Sequence, residues 1–218
     1  MSIFAEADIA QYAPDIEYTG VKLSSLIAQV ENYIAGKLRR TTLVDYEYKQ
    51  RLEIAHTTNE FYINIRPVVS MIQMRIRYQQ LASFGRTIRP DWQVLTPEQY
   101  ELDPFDGLVE LLDSRVLNTG KTLIEVKYIS GFSNLESEDP ENPNLVIPDE
   151  DIKTIKLAIG KGLETLESGI IDALKSESLA GETTIEYQDI ARFTNGESAL
   201  DYIMKPFLAP LIMKYQAI

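Results

Sequence analysis

The feature that most constrains this chain is a change of hydrophobic period. Leu23, Leu26, Ile27, Val30, Ile34 and Leu38 recur at helical spacing and form one apolar stripe. Thr19 and Gly20 are start signals for that helix, and Lys37, Arg39 and Arg40 stand at its end, where cations suit the dipole. The period then falls to two. Thr42, Val44, Tyr46 and Tyr48 alternate with polar residues, as do Phe61, Ile63 and Ile65 before Pro67. Ile72, Met74, Ile76 and Tyr78 alternate with Gln73, Arg75 and Arg77, which predicts an antiparallel strand with one apolar and one basic face. Further strands are expected over 99–102, 108–112 and 122–130, with Asp103-Pro104 and Asp106-Gly107 as turns.

Helical spacing returns with Ile152, Ile155, Ile159, Leu163, Leu166, Ile170 and Leu174, behind an acidic first turn of Asp149, Glu150 and Asp151. Gly160, Gly162 and Gly169 interrupt this stripe. They either weaken the helix or admit another helix at close range, from this subunit or a neighbouring copy. The C-terminal part gathers Ala199, Tyr202, Ile203, Phe207, Leu208, Leu211, Ile212 and Tyr215 around Pro206 and Pro210, and the prolines argue against one regular long helix. The expected class is α+β: a helical bundle with an antiparallel β-rich insertion and an extended C-terminal segment. The divisions are an N-terminal lead over 1–18, a core over 19–197 and a terminal segment over 198–218. Within the core the insertion runs from about 41 to 131 and the long helix from about 149 to 175.

Composition narrows the chemistry. There is no cysteine, which excludes disulfides, thiolate metal sites and cysteine nucleophiles. His56 is the single histidine, so a triad or imidazole cage would rest on one residue. No phosphate-binding Gly-x-x-x-x-Gly-Lys loop occurs. Glu136, Glu138, Asp139 and Glu141 lack calcium-loop spacing and read as a solvated acidic loop within 133–148. No signal peptide is expected from MSIFAEADIAQY, and no apolar run approaches the roughly 20 residues that span a bilayer.

The net charge of −12 argues against a general nucleic-acid binder. The charge is divided, however. Lys37, Arg39, Arg40, Lys49, Arg51, Arg66, Arg75, Arg77, Arg86 and Arg89 lie in the first half, whereas acids dominate from 91 to 151. Such a molecule suits head-to-tail packing of copies, or carries two solvated faces.

The order of motifs resembles the head–tail connector (adaptor) proteins of long-tailed double-stranded DNA bacteriophages. LSSLIAQVENYIAGKLRR is similar to the family's first helix, FYINIRPVVSMIQMRIRY to its strand, Pro-Val, strand passage, and DWQVLTPEQYELDPFDGLVEL to its Tyr-x-Leu-Asp turn and following strand. TLIEVKYISGF resembles its Gly-Phe strand end, IPDEDIKTIKLAIGKGL its post-proline helix, and KSESLAGETTIEYQ with FLAPLI its closing segments. The resemblance covers nearly the whole chain past about Thr19.

It implies a structural, non-enzymatic subunit without cofactor or metal. Such subunits form a ring, commonly twelve-fold in the family, in the virion neck after synthesis in the host cytoplasm. Its implied partners are the portal protein, neighbouring copies, the next neck or tail protein, and genome DNA passing without sequence-specific binding; no membrane is involved. It also implies portal docking by the C-terminal end, through Phe207, Leu208, Leu211, Ile212 and Tyr215, although some of these side chains could also complete the subunit's own bundle. Arg39, Arg40, Arg75 and Arg77 are the candidates for basic residues facing the channel. The alternatives are a neck stopper or tail-completion protein, or a carboxylate-based metal-dependent hydrolase.

Overall fold

A computed structural model describes residues 2–17, 19–55, 58–81, 87–88, 91–112, 121–133, 147–179 and 199–215. The fold is α+β, and the chain divides into two units. The helical unit comprises 1–43 and 148–213; the β unit comprises 44–147 with the last residues from Lys214.

In the helical unit, a short turn over Glu6–Asp8 leads into α1 (Ile9–Tyr12), followed by α2 (Gly20–Lys37), α3 (Asp149–Leu179) and α4 (Ala199–Tyr215). The stripe read from the sequence is the buried face of α2: Leu23, Leu26, Ile27, Val30 and Ile34 are all inside. Ile155, Ala158, Ile159 and Leu163 do the same for α3. Residues 1–18, read as a separate lead, belong to this unit. Phe4 and Ala13 are buried, Glu31 Oε1 accepts the N–H groups of Ile3 and Phe4 at 2.8 and 3.1 Å, and Lys156 pairs with Asp8 at 2.8 Å.

The glycines of α3 are explained within the subunit. A Cβ on Gly160 would collide with the backbone carbonyl of Tyr12, and one on Gly162 would lie 2.7 Å from Val30 Cγ1 and 3.1 Å from Met204 Cε. They admit α1, α2 and α4 at close range, so no neighbouring copy is needed. The surroundings of Gly169 lie outside the described residues.

Two expectations about the C-terminal part are corrected. It is neither extended nor broken, because α4 runs continuously through Pro206 and Pro210. The prolines stand four residues apart on one exposed face. Each removes an N–H donor, leaving the carbonyls of residues 202 and 206 without intrahelical partners. On an exposed face water can satisfy those acceptors, so the helix continues.

The β unit holds two antiparallel sheets. In the first, β8 (Lys121–Ser130) lies between β1 (Tyr46–Ala55) and β3 (Val68–Leu81), while β4 (Thr87–Ile88) and β5 (Gln93–Leu95) pair with β3. In the second, β7 (Leu108–Leu111) lies between β2 (Glu60–Tyr62) and β6 (Tyr100–Leu102). Their inner faces share one core that includes Ile54, Met74, Ile76, Ile124 and Val126 from the first sheet and Phe61, Val109 and Leu111 from the second. Asp103 Oδ1 accepts the N–H groups of Phe105 and Asp106 at 2.9 and 3.0 Å, forming the expected turn between β6 and β7.

The strict alternation read for 72–78 fails at its first residue. Met71 stands opposite Tyr128 and Gln73 opposite Lys127, so β3 spends two residues where β8 spends one. Ile72 is the extra residue of this bulge and is 47% exposed, whereas Met74 and Ile76 are buried as expected.

Gly160 gives the test of this packing. Alanine at a helix-interior glycine normally gains about 1 kcal/mol, but here its Cβ meets backbone that no rotamer change can move. Gly160→Ala is expected to lower unfolding stability by about 1–3 kcal/mol in urea titration. A stabilised variant would contradict the close approach of α1.

Candidate functional site

The most strongly organised polar group of the molecule is on the outer face of the larger sheet. Glu125 lies on the central strand β8, is 2% exposed, and stands opposite Arg51 on β1 and Arg75 on β3. Its Oε1 accepts Lys49 Nζ at 3.1 Å and Arg75 Nη2 at 2.5 Å, and its Oε2 accepts Arg51 Nε. Burial pushes this carboxyl upward, but the hydrogen bonds from Arg51, Lys49 and Arg75 outweigh it and hold it down at about 2, against an ordinary 4.5.

Around this anchor the face is cationic. Residues that alternate with the buried ones place Lys49, Arg51, Arg75, Arg77, Lys121 and Lys127 beside Glu47, Glu53 and Glu125, so cations outnumber carboxylates. Glu47 pairs with Lys127 at 2.9 Å and Glu53 with Lys121 at 2.6 Å. Trp92, just before β5, receives both neighbouring guanidiniums, Arg75 at 4.9 Å and Arg77 at 4.6 Å from its ring centroid. The face thus presents fixed positive charge on a rigid sheet, suited to holding anionic groups.

Arg75 and Arg77 are therefore together, as their spacing implied. Arg39 and Arg40 belong to the helical unit and are used differently. Arg39 takes a φ of 53°, with its N–H bonded to the Gly36 carbonyl at 3.0 Å and the Arg40 N–H bonded to that of Ala35 at 2.9 Å. This bond pattern closes a helix end in which glycine would be usual. Arg39 is exposed, but Arg40 is only 7% exposed, so the candidate role of facing a channel fits Arg39 alone of the two.

The C-terminal candidates separate by face of α4. Leu208, Leu211 and Tyr215 are buried with Met204, at positions spaced to form one inward stripe. Tyr215 meets Phe132 edge-on, with ring centroids 5.1 Å apart. Phe207 and Ile212 are half-buried. The outward stripe is Ile203, Pro206, Pro210 and Met213, with Met213 79% exposed. Sequence reasoning weighed apolar content here and missed which residues face outward. Spacing on an uninterrupted helix would have separated them. It also missed Glu125 and Trp92; the signal for Glu125 was an acid alternating into a strand otherwise flanked by basic strands.

Among the described residues no group of three His, Asp or Glu side chains could hold a metal ion, and no helix is long and apolar enough to cross a membrane. His56 and Glu136, Glu138, Asp139 and Glu141 lie outside the described residues.

No protein-family model matches the chain, and no curated protein matches it. Among solved structures it is similar to a chain described as "Neck of empty GTA particle computed with C6 symmetry", over 92% of this chain and 86% of that one, at 12% identity and a TM-score of 0.42.

The lowered Glu125 carboxyl predicts a specific acid sensitivity. Because its folded pKa lies below its unfolded value, its contribution is complete above 4.5 and is lost as pH falls toward about 2. Glu125→Gln is expected to cost roughly 1–3 kcal/mol at neutral pH, because Arg75 loses a charged partner while the more exposed Lys49 and Arg51 return to water. It should also flatten the stability profile across that acid window. An unchanged acid limb in the variant would contradict the assignment.

Proposed function

We propose that this chain is a structural head-to-tail adaptor of a tailed bacteriophage. In this reading it forms a ring beneath the portal, continues the DNA channel, and joins the head to the tail or the next neck protein. The observation that carries the reading is the path of the chain. A β unit is inserted between α2 and α3 of a helical unit, and a terminal helix follows. This is the arrangement that the resemblance of the motifs implies. The reading assigns the protein to the virion and includes no turnover of its own.

Portal docking is assigned to α4, with the residues revised by the direction each side chain faces. Met204, Leu208, Leu211 and Tyr215 anchor the helix inward. Ile203, Pro206, Pro210 and Met213 are left to meet the portal, with Phe207 and Ile212 at the margin. The prolines stiffen that stripe, and the carbonyls they free offer acceptors to a partner. DNA passing the ring would meet exposed basic side chains such as Arg39 through phosphates only, since a channel must pass every sequence.

Two substitutions separate anchoring from docking. Met213→Asp, on the outward stripe, should change stability by no more than about 0.5 kcal/mol yet block incorporation into heads. Leu211→Ala, on the inward stripe, should cost about 2–5 kcal/mol. Thermal melting and head-attachment assays measure the two effects. Normal attachment of Met213→Asp, together with normal attachment of Ile203→Asp, would overturn the docking assignment.

A further inference from the structure

The β unit carries opposite charge on opposite sides. The two sheets share their inner faces, so the cationic face around Glu125 is one outer surface and the outer face of the three-stranded sheet is the other. On that second face Glu101, Glu110 and Glu60 stand directly opposite one another across β6, β7 and β2. Phe61, Val109 and Leu111 point inward, which turns the glutamates outward. Asn59 Nδ2 donates to Glu110 Oε1 at 3.1 Å, but among the described residues no cation pairs with any of the three. Like charges in register across a sheet are unfavourable. The first sheet has the reverse imbalance, since its cations exceed the carboxylates that hold them.

We infer that the cationic sheet face of one copy binds the glutamate rung of a second copy of this chain, so that subunits join head to tail through their β units. Charge complementarity selects this occupant. Each surface relieves the imbalance of the other, and the rigid rows run across the strands in both sheets. The position of the patches selects the geometry. A two-fold contact would set each patch against itself and repel. Patches of opposite sign on opposite sides demand a heterologous contact, which repeats and closes into a ring when the rotation allows. The inference rests on the ring adaptor reading and specifies the contact that holds the ring together.

Charge reversal tests it. Arg77 and Lys127 do not bind Glu125, and Glu60 and Glu101 are exposed, so all four can be changed without dismantling the anchor. The variant with Arg77→Glu and Lys127→Glu and the variant with Glu60→Lys and Glu101→Lys should each fold, the first losing some stability with the Lys127–Glu47 pair and the Arg77–Trp92 contact, the second gaining some as the glutamate rung is relieved. By analytical ultracentrifugation at low salt and high protein concentration, each should self-associate roughly tenfold or more weakly than the parent. The chain carrying all four changes again opposes unlike charges and should regain association; a folding defect would not be rescued in this way. Failure of the fourfold variant to recover, or parental association of either double variant, overturns the inference. Recovery of each variant in purified particles reads the adaptor reading separately. Parent protein in an axial ring, with both double variants also incorporated, would refute this contact and leave the adaptor reading standing. Association rescued by the fourfold change, with no parent protein in particles, would do the reverse.

Discussion

The buried ion cluster at Glu125 is the constraint on which the β unit depends. Withdrawing a carboxylate from water costs several kcal/mol, and three cations converging from two flanking strands offset that cost. One side chain on the central strand thereby fixes the heads of Lys49, Arg51 and Arg75. Arg75 in turn shares Trp92 with Arg77, which ties the loop before β5 to the same face. The outcome is a sheet whose wet side is cationic, with Lys49, Arg51 and Arg75 gathered on one carboxylate. That surface belongs to a chain with a net charge of −12, so its positive character is local.

The helical unit solves a different problem, which is how to bring short and long helices close without a large core. Gly160 and Gly162 remove the side chains that would hold α1, α2 and α4 away from α3. With α4 seated along Met204, Leu208 and Leu211, its opposite stripe is left apolar and stiffened by two prolines. The same helix therefore contributes to the subunit's own stability and leaves an apolar stripe exposed.

Much of this was legible in the sequence, and the failures have physical causes. The stripes of α2 and α3 and the alternation of β8 could be read because one face of each is buried along its length. Ile72 misled because a bulge inserts a residue without changing the local pattern. The prolines of α4 misled because their cost depends on exposure, which spacing alone does not reveal until the helix is assumed to continue. Arg40 was read as a surface charge from its place at a helix end, where the closing turn instead carries it inside. Glu125 stood out only as an acid alternating into a strand, and its partners could not be named, because they come from strands about 50 to 75 residues away along the chain. The glutamate rung was hidden for the same reason: Glu60, Glu101 and Glu110 become neighbours only through pairing.

Electron microscopy of assembled heads carrying this protein locates the subunit in the particle. The proposed adaptor role requires a closed ring of copies around the DNA exit, with the Ile203, Pro206, Pro210 and Met213 stripe of α4 turned to the portal and the β units in contact around the ring. Single copies bound away from the axis, or particles complete without the protein, would contradict it.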